Sequence, residues 1–304
     1  MVLIRYIFIA IVAISLITSG LAWADDTKNA NSVLGRTVCL NYLGDDFEDM
    51  NWSYDYQNHI SSNRLWRSGS GDGEPELLAR VPTPEKGKNG STGALEIRTN
   101  TIEQFDDGTS TGHFGMEKLL TVEYEQILKR KLTCVDQPVF IIRVWLPPFD
   151  QWLRKDPEQD LYEIGFRHEV FPKKGSKYYP SIFLHHERSL PKPCFIVRIF
   201  PMDTGEQNRD ILVKYIDQQY WWTLAIAFDA DGVDHYYAHP GVDIPTEKDE
   251  IFNTGIFRNE NGIETPSMDY VFYSFFHLGY PETGNVSPRF VIDDYEVWVV
   301  NQAK

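Results

Sequence analysis

The sequence predicts an all-β protein, a two-sheet antiparallel β-sandwich of jelly-roll type with few short helices. Three observations carry this. Short β-branched and aromatic runs recur along most of the chain. Clusters of Gly, Pro, Asp and Lys separate them. No regular alternation of helices with strands is visible, which argues against a parallel α/β sheet.

Taken in order, the chain opens on Arg5, an apolar run from Tyr6 to Ile17, and the small-x-small tripeptide Ala22-Trp23-Ala24. That is the pattern of a secretory signal peptide over 1–24. The run falls short of the roughly 20 residues a bilayer span needs, so cleavage is expected, with a secreted or periplasmic product and no later membrane association. Residues 25–32 are polar and read as a disordered leader. The expectation for 33–304 is a single domain.

Within that domain Ser68 to Asn89 and Glu247 to Ser267 read as surface excursions. Met116 to Lys131 has helical composition, although Thr121 to Tyr124 alternates as a strand would. Strands are expected over Val139 to Leu146, Leu161 to Val170, Tyr179 to Glu187, Cys194 to Phe200, Trp221 to Phe228, Val233 to His239, Tyr270 to His277 and Arg289 to Val300.

Period-2 alternation assigns faces. Phe140, Ile142, Val144 and Leu146 share the core side of their strand, leaving Arg143 and Trp145 opposite. Ile164 and Phe166 leave Glu163, Gly165, Arg167 and Glu169 opposite; Ile182 and Leu184 leave Ser181, Phe183 and His185; Phe195, Val197 and Ile199 leave Arg198. If these four strands form a meander, one face gathers Arg143, Trp145, Glu163, Arg167, His185 and Arg198. Aromatic rings stack on pyranoses, and Arg and Glu bond hydroxyls or carboxylates in fixed geometry. The expected partner is therefore a poly- or oligosaccharide. The same pattern also suits a solvated outer face with cross-strand ion pairs, and both readings stand at this point.

The formal net charge of −15 argues against nucleic acid as a partner, since a polyanion is repelled at long range. No Gly-rich phosphate loop precedes a helix, so no organic cofactor is expected. Cys39, Cys134 and Cys194 match no zinc pattern, and one disulfide is compatible with an oxidising compartment. His235 and His239 share a face with Tyr237 and read as hairpin polar residues. Asn51, Asn89 and Asn285 head N-x-[ST] sequons.

Three segments carry a resemblance: Asp45-Asp46-Phe47-Glu48-Asp49 with Trp52; Trp221-Trp222 running through Asp231-Gly232 into Tyr236-Tyr237; and Phe290 to Trp298, with Ile292-Asp293-Asp294 at its centre. In order and spacing they resemble the concanavalin A-like lectin/glucanase superfamily, including its laminin G-like jelly rolls, over the whole mature chain. The resemblance implies first and last strands side by side. It also implies a structural Ca²⁺ held by Glu48 and Asp293, with Asp46 as a further ligand; hard oxygen donors suit that ion.

The resemblance also raises two enzymatic alternatives. Glu158-Gln159-Asp160-Leu161-Tyr162-Glu163 reads E-x-D-x-x-E, the spacing of a family of retaining glucanases within the superfamily. Glu158 would be the nucleophile, Asp160 the tuning residue and Glu163 the acid/base, on the two-carboxylate chemistry of such enzymes. Gln159 departs from that pattern, where an aliphatic residue is usual. A polysaccharide lyase would instead use Arg143 or Arg167 against a uronate, with His185 and a Tyr moving the proton. A non-catalytic structural or adhesion module is the third alternative.

Overall fold

The computed structural model describes residues 33–68, 75, 77–98, 118–149, 162–186, 190–199, 209–255, 267–278 and 289–300. Among them the chain forms β1 (Val38–Cys39), β2 (Tyr54–Asp55), β3 (Ile60–Ser61), β4 (Trp66–Arg67), β5 (Leu77–Val81), β6 (Ala94–Arg98), β7 (Lys118–Glu123) and the helix α1 (Tyr124–Leu128). There follow β8 (Leu132–Thr133), β9 (Val139–Leu146), β10 (Tyr162–Pro172), β11 (Ser181–His186), β12 (Cys194–Ile199) and β13 (Arg209–Tyr215). The last strands are β14 (Tyr220–Phe228), β15 (Asp234–Pro240), β16 (Glu250–Asn253), β17 (Met268–Leu278) and β18 (Phe290–Val299).

The strands make two antiparallel sheets. One has eight strands, in the order β16-β15-β14-β9-β18-β6-β5, with β1 also on β18. The other has ten, in the order β13-β12-β11-β10-β17-β7-β4-β3-β2, with β8 also on β17. The all-β sandwich is thus as expected, and each of the eight strands expected from alternation forms within two residues of its expected bounds. Three expectations are corrected. Among the described residues of 116–131 helix is confined to α1, because Lys118–Glu123 is taken up by ladders to β17 and β4 and Lys129 closes the turn in the left-handed region. The excursion from Ser68 contains β5, which pairs with β6, and the one from Glu247 contains β16, which pairs with β15.

The meander is the third correction. β9 lies in the eight-stranded sheet between β14 and β18, whereas β10, β11 and β12 are neighbours in the ten-stranded one. The core lies between the sheets. Phe140, Ile142, Val144 and Leu146 of β9 share one buried cluster with Leu224 and Ile226 of β14, Phe166 of β10, Ile182 and Leu184 of β11, and Phe195 and Val197 of β12. Each such burial contributes about 1.5–3 kcal/mol, so a single face is strongly dictated for every strand.

The β14–β15 hairpin has Gly232 at φ +84°, tight against the backbone of Met268 at the start of β17. A Cβ there would collide with that backbone, so the Asp-Gly turn both reverses the chain and seats one sheet on the other. Trp222 of the hairpin is fully buried in the core; its neighbour Trp221 is buried on the opposite face. Buried polar groups also sit between the sheets. Tyr124 Oη bonds Ser274 Oγ and Tyr295 Oη, and Ser274 Oγ bonds His168 Nδ1. Asp234 accepts from Tyr178 Oη at 2.9 Å.

Candidate functional site

The face of the ten-stranded sheet turned away from the core carries the most unusual chemistry. Register places Arg167 of β10 opposite Ser181 of β11, and Ser181 opposite Arg198 of β12. One row above, Gly165 lies opposite Phe183, and Phe183 opposite Ile196. The Phe183 ring occupies the space over Gly165, where a Cβ would lie 2.5 Å from ring carbon Cε1. The absent side chain therefore lets the ring lie flat between two guanidiniums. Arg198 Cζ sits 4.5 Å and Arg167 Cζ 5.6 Å from its centroid, and Arg167 Cζ is also 5.2 Å from the Tyr179 ring. Cation–π contacts of this kind strengthen as water is withdrawn. Arg167 and Arg198 are 4% and 5% exposed, so both charges are held largely out of solvent.

A carboxylate completes the face. Glu169 Oε2 accepts from Tyr273 Oη at 2.8 Å, Tyr179 Oη at 2.9 Å and Lys177 Nζ at 3.0 Å. Burial pushes the Tyr179 phenol up, and Glu169 adds to that. Burial works against the Lys177 charge, but its bonds to Tyr179 and Glu169 leave its pKa raised. His185, buried in the next row, lies opposite Glu163 and Cys194. Of the residues expected on this face, Arg167, His185 and Arg198 are brought together; Glu163 shares their register, its side chain lying outside the described residues together with Glu158 and Asp160. Phe183, Tyr179, Glu169 and Tyr273 complete the set. Glu169 and Phe183 have the right parity in the sequence, but nothing there singles them out from ordinary outward residues.

Arg143 and Trp145 belong elsewhere. Both lie on the outer face of the eight-stranded sheet. Arg143 is 2% exposed. It donates from Nη1 to Glu296 Oε1 at 2.8 Å and from Nε to Val242 O at 2.7 Å, and lies 3.6 Å from Asp294 Oδ2. Its hydrogen-bonding capacity is committed to holding β18 and the 242 loop. Trp145 packs with Trp221 and under Arg289, 5.5 Å from the ring. Neither reaches the Arg167 face.

The acidic residues near the two ends of the chain are close together, as the resemblance implies. β1 pairs with β18 through Val38 and Val299, and Asp45 bridges to Tyr295. Asp45 takes the indole N–H groups of Trp66 at 2.7 Å and Trp52 at 3.0 Å, plus Asn63 at 2.7 Å. Ser91 Oγ lies 3.0 Å from Glu48 Oε1 and 2.9 Å from Asp293 Oδ2. Burial and then the neighbouring Asp294 push Asp293 up to about 7, against the bond that it accepts from Ser91. Burial acts to raise Glu48, but bonds from Thr92, Gly93 and Ser91 outweigh it and hold the carboxyl at about 2. Asp46 is exposed and accepts from Glu48 N. These oxygens are filled by N–H and O–H donors, and among the described residues no set of three His, Cys, Asp or Glu side chains converges as a metal site. Glu48 and Asp293 thus meet at Ser91, while Asp46 is exposed. Cys39, Cys134 and Cys194 are not joined to one another in a disulfide.

Two antiparallel sheets, adjoining terminal strands and the Trp-opened hairpin together decide the architecture. It is a two-sheet antiparallel β-sandwich of jelly-roll type. No protein-family model matches the sequence, nor does any curated protein. Among solved structures, an immunostimulatory antigen and pseudo β-1,3-glucanase of Mycobacterium tuberculosis is 12% identical, with TM-score 0.49 over 88% of this chain and 100% of its own. A carbohydrate esterase from a Shiga toxin-encoding bacteriophage is 11% identical, with TM-score 0.48 over 87% and 100%. An endo-β-1,4-glucuronan lyase from the fungus Trichoderma reesei is 12% identical, with TM-score 0.45 over 88% and 100%.

Proposed function

We propose that this chain is a secreted carbohydrate-binding jelly roll that holds a poly- or oligosaccharide on the outer face of the ten-stranded sheet. The observation that carries the reading is the row Arg167–Ser181–Arg198 with Phe183 between the two guanidiniums. Phe183 is itself fully buried and fixes the two guanidinium forks, which suit the acidic or hydroxyl-rich edge of a sugar. Secretion rests on the signal-peptide pattern of 1–24. Among the described residues no helix is long and apolar enough to cross a membrane.

The test is retention of the purified protein on neutral and uronate-containing polysaccharides, with release of reducing ends and unsaturated products recorded together. Arg198→Ala and Arg167→Ala are each expected to weaken retention at least tenfold, since losing one charge-assisted contact costs about 1.5–3 kcal/mol. Arg198→Lys keeps the charge and loses the fork, and is expected to fall between. Circular dichroism melts separate loss of binding from loss of fold. No retention on any polysaccharide would sink the reading. Product release would instead make the face a lyase site, with Tyr179 and His185 as the groups that move a proton.

A further inference from the structure

A second site lies at the end of the sandwich where β9 finishes and β14 begins. A cavity of about 610 Å³ is lined by Lys86, Lys192, Asp217, Gln219, Tyr220 and Trp221, among others. Its volume falls in the range of small-molecule sites. The walls come from separate loops: Lys86 from the β5–β6 connection, Lys192 from the turn before β12, and Asp217 to Gln219 from the β13–β14 connection.

Two side-chain-bearing residues here adopt backbone that favours glycine. Tyr220 has φ +79° and Lys86 φ +65°. They touch each other, with Lys86 Nζ 4.1 Å from the Tyr220 ring centroid. A left-handed aromatic residue at the head of a strand is an unfavourable choice unless its ring is needed where it stands. The flanking indoles pin both sides of the pair. Trp221 Nε1 donates to Glu85 O and Trp222 Nε1 donates to Gln218 O, each at 3.1 Å. Neither Tyr220 nor Lys86 is therefore free to relax by moving its loop.

We infer that this cavity is a distinct binding site for a carboxylate-bearing sugar. Lys86 and Lys192 bring two ammonium groups from different loops to a lining whose one carboxylate among the described residues is Asp217, and they are the partners of the sugar carboxylate. Gln219 and Asp217 face the hydroxyls. Tyr220, half-buried over its fully buried neighbour Trp221, supplies the apolar surface against which a pyranose packs. The site shares no residue with the Arg167 face and does not depend on it.

The experiment titrates digalacturonate, with cellobiose as the neutral control, into the full-length protein and into Arg167→Ala. Binding of digalacturonate in preference to cellobiose, persisting in Arg167→Ala and weakening with salt, is expected. The double variant Lys86→Gln/Lys192→Gln is expected to lose at least tenfold in affinity. Tyr220→Gly is expected to lose binding while melting no lower than the parent, because glycine relieves the left-handed strain. The inference is overturned by an absence of digalacturonate binding, by equal binding of cellobiose, or by unchanged affinity in the double lysine variant. It is also overturned if Arg167→Ala abolishes all binding, which would assign the sugar to the sheet face alone.

Discussion

At the scale of single residues, the Arg167 face depends on an atom that is missing. Gly165 has no need of left-handed backbone; its part is to leave room. The Phe183 ring fills that room and so reaches both guanidiniums at 4.5 and 5.6 Å. Adding one methyl forces the ring off its seat, because Cε1, Cδ1 and Cζ all lie within 2.8 Å of the new Cβ. Overpacking of this sort costs about 1–3 kcal/mol. Gly165→Ala is expected to lower the melting temperature by several degrees and to weaken polysaccharide retention. A melt and a retention assay on one preparation check both. A variant that melts lower yet binds as well would show that the ring position does not matter to the ligand. Asp45 shows the opposite economy, one buried carboxylate satisfying two indoles and an amide, which explains why the acidic segment beside Trp52 is a packing device here.

At the scale of elements, β18 and the β14–β15 hairpin tie the sheets together. β18 is bulged between Asp293 and Glu296, with Asp294 at φ +46°. The bulge shifts the alternation, so Tyr295 is 1% exposed in the core while Asp294 and Glu296 meet Arg143. The hairpin is pinned through Gly232. Gly232→Ala meets both a left-handed φ and the Met268 backbone, and is expected to cost roughly 2 kcal/mol or more, read as a lower denaturant midpoint with unchanged slope. An unaltered midpoint would mean that β17 starts elsewhere. The long strands were legible because six or more residues of alternation fix a face. Two-residue strands such as β2, β3 and β4 offer no period to read. Sheet membership was not legible for a different reason. Parity separates core from outside identically in either sheet, so Arg143 and Arg167 look alike in sequence. Sequential strands usually pair, but β9 and β10 do not, and that one crossover removes Arg143 and Trp145 from the site while leaving Arg167, His185 and Arg198 on it.

For the whole molecule, the buried titratable groups between and beside the sheets set the pH at which the fold is most stable. Asp234 is fully buried, and burial pushes its carboxyl up to about 8 despite bonds from Tyr178 and Tyr236. Its ordinary value is 3.8, so its contribution is complete below about pH 4 and is lost as pH rises towards 8, at roughly 1 kcal/mol per pH unit. Asp293, at about 7, acts with the same sign. His168 opposes them. Burial holds it well below its ordinary 6.5, and it sits neutral against Phe140 and Phe166. Its contribution is complete above pH 6.5 and lost as pH falls below that. Stability is therefore squeezed from both sides, with the alkaline limb set by Asp234 and Asp293 and the acid limb by His168. Asp234→Asn removes one alkaline term and keeps the acceptor oxygen for Tyr178. Its melting temperature is expected to fall less than the parent's between pH 5 and pH 8, by roughly 5 °C or more over that window, and its maximum to move to higher pH. Parallel curves for the two proteins would mean that Asp234 stays protonated, or ionised, across the whole range, and the alkaline limb would then fall to Asp293.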